Sequence, residues 1–228
     1  MSSQRVKREY DNSTRAEQAR ETRRRVVAAA HQAFIENGFA GTTMAMVADR
    51  AGVSVETIYK NFRSKAGLAR VVLDIAIAGD DEPVAMPDRP AATEIANAPD
   101  AREMLRRYAR HARGIYERLG PLTTFLLGAR AGNTELHKLR RDADAQRLHA
   151  ATLLASAIRT TGQFRDGLDE ERARDAVWAL NSPELHSLLA IDRGWSADDY
   201  EAALTDCLTA LLIDERKATG IEDAEHPR

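Results

Sequence analysis

Polar side chains that could contact DNA bases lie together between residues 54 and 62. Ser54 is a suitable N-cap for a short helix in which Ile58 and Phe62 fall on one side and point inward. The other side of that helix carries Val55, Glu56, Thr57, Tyr59 and Lys60. Base edges in the major groove offer hydrogen-bond donors, acceptors and thymine methyl groups, which such a mixed face can meet. The pattern therefore favours a DNA-reading helix.

A second short helix precedes this one and must position it. Its apolar residues stand at i, i+3, i+4 and i+7, behind Thr42 or Thr43 as N-cap, and are Met44, Val47, Ala48 and Ala51. Gly52 supplies the turn between the helices, because glycine accepts a left-handed backbone. Together they predict a helix-turn-helix, whose second helix usually enters the major groove. The geometry alone also fits an ordinary helical hairpin.

Longer helices are predicted on both sides of the helix-turn-helix. Thr14 and Glu17 form a capping box for a helix that ends at Gly38, and residues 1–13 before it are predicted to form a flexible basic arm. Ser64 caps a further helix after the motif. We therefore assign residues 14–79 to a DNA-binding domain that includes a connecting helix.

The charge of the chain is divided between its two parts. Residues 1–70 contain 13 lysines and arginines against 7 acidic residues, whereas residues 71–228 contain 20 against 28. A net charge of +6 suits a phosphate backbone, and a net charge of −8 is repelled by it. The N-terminal part is therefore the one expected to face DNA.

The remainder of the chain is predicted to be helical throughout. Four of the seven prolines fall in residues 80–100, a connector with a short helix in PAATEIANA. Helical periodicity returns over residues 101–119, 124–131 and 134–161, then in a segment opened near Asp169 that restarts at Pro183, and in a final helix capped by Ser196 and Asp199. The sequence thus predicts an all-α fold, with a helical domain over residues 101–216 and a polar tail over 217–228.

The final helix carries a long apolar stripe that must be covered. Its members recur at helical spacing and are Tyr200, Ala203, Leu204, Cys207, Leu208, Leu211 and Leu212. Either the core of its own domain or a second copy of the chain can cover this stripe. The sequence pattern alone leaves both possibilities open.

The segments GFAGTTM, ADRAGVS, IYKNF and the SK pair after it resemble the TetR/AcrR-type transcriptional regulators. The resemblance covers Thr42 to Lys65 and the helix on either side. Further on, WALNSPELHSLLAIDRGWSADDYEAAL resembles the C-terminal domain of one TetR-type subgroup. The resemblance implies a three-helix DNA-binding domain followed by a helical ligand-binding and dimerisation domain, with about nine to ten helices in all.

The same resemblance implies roles for individual residues. It assigns Thr43, Tyr59 and Lys65 to contacts with the DNA backbone, and it places Val55, Glu56, Thr57 and Lys60, behind the capping Ser54, at the groove. Glu56 can accept from a cytosine amine and Lys60 can donate to guanine. The chain departs from the family at Ala66 and Gly67, where an acidic residue and a good helix former are common, and a softer first turn is expected there.

The resemblance also implies a homodimer and a small-molecule pocket in the C-terminal domain. The dimer interface is predicted at Leu185, Leu188, Tyr200, Leu204, Leu208 and Leu211. Pocket walls are predicted at Tyr108, His111, Tyr116, Phe125, Phe164 and Trp178, since such a pocket needs aromatic walls with a few polar anchors. Aromatic residues of a helical domain are also common in an ordinary core.

Catalytic motifs are absent from the sequence, which contains no HExxH, phosphate loop, GxSxG elbow or Cys-His pair. Its one cysteine, Cys207, forms no intramolecular disulfide, and we predict no metal and no cofactor. No apolar run spans a membrane and MSSQRVKREY lacks the core of a signal peptide, so a cytoplasmic location is expected.

These observations favour a homodimeric, ligand-responsive repressor that binds double-stranded DNA at an inverted repeat. The alternative is a constitutive DNA-binding or architectural protein, whose C-terminal domain serves only dimerisation or a contact with another protein. The residues do not distinguish a repressor from an activator, because that depends on where the operator lies.

Overall fold

The computed structural model describes residues 3–123 and 134–218, and this part of the chain is built from helices. Its backbone pairing of the β type is limited to one isolated bridge between Phe164 and Ile213. The predicted all-α class is therefore confirmed. The chain divides into two compact units, Met1–Ile75 and Ala76–Arg228.

The first unit contains the long helix α1 and the helix-turn-helix. Helix α1 spans Ser3–Gly41, α2 spans Met44–Ala51, α3 spans Val55–Phe62 and α4 spans Lys65–Ala78, whose last three residues belong to the second unit. Their inward faces form one core, whose buried side chains include Val26, Ala30, Phe34, Val47, Ile58, Leu68 and Val72. Burial of these faces, rather than helix propensity, stabilises the two eight-residue helices, because helices this short are marginal alone.

Helix α1 begins at Ser3 and includes residues that the sequence predicts to form a flexible arm. No proline or glycine precedes Gly38, and the polar residues of this stretch include good helix formers such as Gln4, Arg5 and Lys7. Nothing in the sequence therefore stops the helix before Thr14. At the other end Gly38 takes φ 66° and ψ 179° and breaks the helical backbone, as predicted for a C-terminal stop.

The second unit contains the connector and the helices that follow it. A short 3-10 turn spans Met86–Asp88, α5 spans Pro90–Ala96, α6 spans Ala101–Leu119 and α7 spans Thr134–Thr160. Next come α8 at Glu170–Leu180 and α9 at Pro183–His186, which continues as a π-helix over Ser187–Asp192. Helix α10 spans Ala197–Leu212 and α11 spans Glu215–Ala218. The helix predicted over residues 124–131 lies outside the described residues.

Local sequence signals account for where several of these helices begin. Asp100 accepts a hydrogen bond from the Glu103 N–H, Asp169 from the Arg172 N–H, and Ser182 from the Leu185 N–H. Ser196 and Asp199 form the predicted reciprocal capping box of α10. Pro183 occupies the first turn of α9, where its missing N–H costs no helical hydrogen bond.

Ion pairs and a buried seam join α6 to α10 within the second unit. Tyr108, Ala112 and Tyr116 of α6 are buried, as are Tyr200 and Leu204 of α10. At the edge of this seam, the Arg113 guanidinium of α6 pairs with Asp198 and Glu201 of α10. Within the described ranges, no helix is long and apolar enough to cross a lipid bilayer.

Candidate nucleic-acid interface

Gly52 shapes the turn that sets α3 against α2. It adopts φ 65° and ψ 42°, and its N–H donates to the carbonyls of Ala48 and Asp49. The Val53 N–H also donates to the Ala48 carbonyl, at 3.1 Å. These bonds use the last carbonyls of α2, and a residue with a Cβ would be strained at this φ. The predicted role of Gly52 in the turn is confirmed.

Hydrogen bonds order the N-terminal turn of α3. The Ser54 hydroxyl accepts from the Thr57 N–H at 3.2 Å and lies 3.1 Å from the Thr57 hydroxyl. The backbone N–H of Glu56 itself and the Ser54 side chain hold the pKa of the Glu56 carboxyl below its ordinary value. Glu56 is therefore an exposed carboxylate, which accepts hydrogen bonds but cannot donate them.

The outward face of α3 is the polar surface that the sequence predicts. Ile58 and Phe62 are buried, whereas Tyr59 is 49% exposed and Glu56 and Lys60 are also exposed. Val55 and Thr57 are half-buried at the start of the helix. The face thus presents a carboxylate, an ammonium, a phenol and small apolar groups on one short helix.

Thr43 and Lys65 occupy the two ends of this motif, and their environments differ. Thr43 is exposed, and its hydroxyl caps α2 by accepting from the Met46 N–H at 3.1 Å. Lys65 Nζ donates to the carbonyls of Phe39 at 2.7 Å and Thr42 at 2.9 Å, and it lies 4.4 Å from the centre of the Phe39 ring. Lys65 is therefore half-buried against the end of α1, where two of its three N–H groups are used by backbone carbonyls, and its role as a phosphate contact stays a prediction.

Residues that sequence reasoning missed hold α1 and α2 together. The Arg50 guanidinium of α2 bonds the Glu36 carboxylate of α1 at 2.7 Å, and Gln32 also donates to that carboxylate. The buried Thr42 hydroxyl lies 2.9 Å from the Ala33 carbonyl and 2.7 Å from the Gly38 carbonyl. Arg50 and Glu36 are fourteen positions apart, so no helical spacing signals their pairing.

A strained turn joins α3 to α4. Arg63 has φ 65° and ψ −42°, and the Ser64 N–H donates to the Phe62 carbonyl at 2.7 Å, which closes a γ-turn around Arg63. Gly67 lies directly beside this turn, because a Cβ built on it would stand 2.2 Å from the Phe62 carbonyl oxygen. The glycine that departs from the family pattern is therefore required by close backbone packing.

The structure brings together some of the predicted ligand-binding residues. Tyr108 and Tyr116 are buried and share a partner in Asn181, which donates from its side chain to the Tyr108 hydroxyl and accepts at its carbonyl from the Tyr116 hydroxyl. Trp178 is half-buried. It lies near this group, because Arg147 bonds the same Asn181 carbonyl and lies over the Trp178 ring.

Other predicted ligand residues lie apart from that group or are not described. Phe164 is half-buried at the bridge with Ile213. His111 is half-buried on α6, where burial and then the charge of Arg118 lower its pKa. Phe125 lies outside the described residues.

The predicted dimer residues fall into two groups. Tyr200, Leu204 and Leu208 are buried within the second unit itself, which corrects their assignment to a surface that meets a partner. Leu188 and Leu211 are 55% and 45% exposed, and Leu185 is half-buried. The apolar stripe of α10 is thus covered mainly by the chain's own core.

Comparison with known proteins identifies the region that contains the candidate interface. Residues 26–72 match the family model described as bacterial regulatory proteins of the tetR family. The chain is 45% identical over 58 residues to the HTH-type transcriptional regulator TtgR of Pseudomonas putida. That match covers 25% of this chain and 28% of TtgR, so the chain aligns with well under half the length of this relative.

Two solved structures share the fold over most of the chain. One is the regulator FadR from Bacillus subtilis in complex with stearoyl-CoA, with a TM-score of 0.65 and 18% identity over 81% of this chain and 96% of that one. The other is a transcriptional regulator from Saccharomonospora viridis in complex with choline, with a TM-score of 0.64 and 21% identity over 85% and 98% of the two chains. The two ligands differ in chemistry, so this fold by itself does not determine the ligand.

Proposed function

We propose that the chain is a TetR-type, ligand-responsive repressor that binds an inverted-repeat operator as a homodimer, because its helix-turn-helix region matches the tetR family model over residues 26–72 and is similar to that of TtgR. The observation that carries the proposal is the outward face of α3, which presents Glu56, Tyr59 and Lys60 while Ile58 and Phe62 anchor the helix in the core. The positive charge of residues 1–70 supports the same conclusion. The proposal includes no catalytic step, and it assigns the protein to the cytoplasm, where the DNA is.

Exposed apolar side chains near the C-terminal end support a homodimer. Leu188 and Ile191 on the π-helix, Trp195 after it and Leu211 on α10 are all exposed. Their burial against a second copy would remove this apolar surface from water. A two-fold dimer also explains an inverted repeat, because each copy then reads one half-site.

The hydrogen bonds at the end of α4 support a response to a ligand. Arg118 donates to the carbonyls of Ala76 and Ile77, both at 2.9 Å, and the buried Arg89 donates to the Ala78 carbonyl at 3.3 Å. Arg118 stands on α6, the helix that also carries the buried Tyr108 and Tyr116. A ligand that moves α6 would therefore act on α4, the helix that leads to the DNA-binding domain.

Thermodynamically, such a ligand must bind more tightly to a state of the dimer that fits the operator poorly. The ligand then lowers the affinity for the operator by the same factor by which the operator lowers the affinity for the ligand, and this factor is at most the ligand's preference for that state. A ligand that binds both states equally would leave repression unchanged.

The decisive experiment is selection of bound duplexes from a random DNA pool by the full chain, at about 0.15 M salt where non-specific attraction to phosphate is weakened. We expect an enriched inverted repeat whose half-sites are separated by one turn of the double helix. Recovery of single half-sites would contradict the dimer. Recovery of no motif by a folded protein would favour a constitutive architectural role instead.

A further inference from the structure

Helices α6 to α10 enclose a polar cluster in the interior of the second unit. We define the buried polar cluster by its five buried members and the four half-buried residues bonded or stacked to them. The buried members are Tyr108, Tyr116, Arg140, Asn181 and Tyr200, and the half-buried ones are Asp144, Arg147, Glu184 and His186. Its members form one connected network: Arg140 bonds Asp144 at 2.9 Å and Glu184 at 2.8 Å, and Arg147 bonds Asp144 at 3.1 Å and the Asn181 carbonyl at 2.9 Å. Asn181 then leads to the two tyrosines of α6.

Four buried polar atoms of this cluster have no hydrogen-bond partner among the described residues. They are Arg140 Nη1, Asn181 Oδ1, His186 Nδ1 and the Tyr200 hydroxyl oxygen. Arg140, Asn181 and Tyr200 are 4%, 8% and 2% exposed, so bulk water does not satisfy them. Buried polar atoms of native proteins are nearly always hydrogen-bonded, so these four atoms mark positions where a bound molecule can supply hydrogen bonds.

The four atoms define the hydrogen bonds that a partner must offer. Arg140 Nη1 only donates and Asn181 Oδ1 only accepts, so the partner needs both an acceptor and a donor. The Tyr200 hydroxyl can serve in either direction, and so can the His186 ring nitrogen according to its tautomer. A hydrocarbon ligand without polar groups would leave all four atoms unsatisfied, which binding sites of this kind strongly disfavour.

The charges of the cluster are already balanced. The guanidiniums of Arg140 and Arg147 are matched by the carboxylates of Asp144 and Glu184. Burial lowers the pKa of His186 and raises the pKa of Tyr108 to about 12, so both remain uncharged near neutral pH. A charged ligand would have to compete with these ion pairs for its counter-charge, and burial of a charge is costly.

Aromatic faces provide the walls of the cluster. The rings of Tyr116 and His186 are stacked with centroids 4.2 Å apart and an interplanar angle of 8°, and Tyr200 meets both rings edge-on. His186 is half-buried and stands where α9 passes into the π-helix, a kind of segment that occurs frequently at functional sites. A planar aromatic ligand can stack on such rings or meet them edge-on, so aromatic walls suit a ligand of this shape.

We propose that the buried polar cluster is the effector site, and that its ligand is an uncharged, planar aromatic compound with both a hydrogen-bond donor and an acceptor. Asn181 accepts from the ligand, Arg140 donates to it, and Tyr200 and His186 complete the set. The assignment rests on the proposed ligand-responsive function. It separates this protein from relatives of the same fold that bind stearoyl-CoA or choline, which are charged.

The test is a ligand-observed NMR titration of the full chain with 4-hydroxybenzamide, an uncharged planar ring with a phenol and an amide. Two charged compounds of similar size, 4-hydroxybenzoate and phenyltrimethylammonium, are titrated in parallel. We expect 4-hydroxybenzamide to bind about tenfold or more tightly than either, because each charge would have to compete with the ion pairs of the cluster. Absence of 4-hydroxybenzamide binding, or tighter binding of a charged compound, overturns the proposed ligand class.

The variant Tyr200→Phe locates the site, because it removes a hydroxyl that has no partner among the described residues. We expect it to weaken 4-hydroxybenzamide by about two- to tenfold, the effect of one lost neutral hydrogen bond. The thermal midpoint of the free protein should stay the same or rise. A lower midpoint with unchanged affinity would show that the hydroxyl is structural and would overturn the assignment.

The control variant is Ser156→Ala, which removes an exposed hydroxyl of α7 outside the cluster and should change neither the titration nor the midpoint. Operator binding, measured on the same preparations, separates this proposal from the function on which it rests. Release of a bound inverted repeat by one of the charged compounds would support the ligand-responsive repressor but contradict the proposed ligand class. Failure of the protein to bind any inverted repeat would contradict the proposed repressor function instead.

Discussion

At the level of single residues, the lysines of α3 and α4 have different environments. Lys60 is exposed on the outward face of α3, whereas Lys65 donates to the carbonyls of Phe39 and Thr42. Both carry the same charge, so the sequence pattern alone predicts a DNA contact for each of them. Their surroundings predict opposite effects of substitution on DNA binding and on stability.

We expect Lys60→Met to weaken the selected operator by about tenfold and to relax the base preference at one position, because a lysine that donates to guanine is a specific contact. Its free energy of unfolding should stay unchanged. Fluorescence anisotropy with the operator, followed by a repeated selection, measures both effects. An unchanged base preference would show that Lys60 does not read the DNA sequence. By comparison, Tyr59→Phe should modestly weaken binding to all DNA sequences.

We expect Lys65→Met to lower the free energy of unfolding by about 1.5–3 kcal/mol, since it removes hydrogen bonds from a charged donor to two carbonyls. Chemical denaturation measures this loss. The dependence of DNA affinity on salt should keep its slope, because no phosphate contact is lost. A slope that becomes shallower by about one unit would support the phosphate role that the sequence suggested.

At the level of elements, the short link between α3 and α4 contains backbone strain. A γ-turn at Arg63 and a close approach of Gly67 to the Phe62 carbonyl both lie within five residues of the reading helix. This arrangement fixes where α4 starts relative to α3 inside the first unit. The position of the exposed α3 face therefore depends on a turn that is costly for a residue other than glycine.

We expect Arg63→Gly to raise the free energy of unfolding by about 0.5–1 kcal/mol, as relief of the positive φ outweighs the greater chain entropy of glycine. Thermal unfolding measures the change. The matched control is Arg63→Ala, which removes the same guanidinium but keeps the strained backbone, and which should not stabilise. Equal effects of the two variants would show that the side chain, and not the turn, is responsible.

At the level of the whole molecule, the exposed apolar residues near the C-terminal end bear on the oligomeric state. Leu188, Ile191 and Leu211 remain exposed after the second unit has formed its own core, whereas Tyr200, Leu204 and Leu208 do not. The dimer proposal therefore rests on the first group. Its interface would lie on the π-helix and on the outer side of α10.

We expect the double variant Leu188→Asp and Leu211→Asp to weaken the dimer by about 2 kcal/mol or more, because a buried interface cannot satisfy the introduced charges. Sedimentation measures the monomer–dimer equilibrium, and operator affinity should fall with it. Leu153→Asp, on another exposed leucine of α7, is the control and should leave the dimer intact. Loss of the dimer in the control alone would place the interface elsewhere.

Local signals in the sequence determined the helices and much of the candidate interface. Caps at Ser54 and Ser196, the glycine at position 52 and the inward spacing of Ile58 and Phe62 all have the predicted structures, because each depends on residues within one or two helical turns. The extent of α1 is an exception. A polar helix without an apolar stripe gives no periodic signal over its first residues.

Only the tertiary structure decided which partners the side chains of those helices contact. Lys65 finds its carbonyls more than twenty positions away, and Tyr108 meets Asn181 across 73 positions. The sequence allowed the stripe of α10 to pack on its own core or on a partner. In the structure, Tyr200 and Leu204 are buried in the core of the chain's own second unit. Periodicity states which face of a helix is apolar, but the partner of that face is set by contacts between distant parts of the chain, which no local pattern encodes.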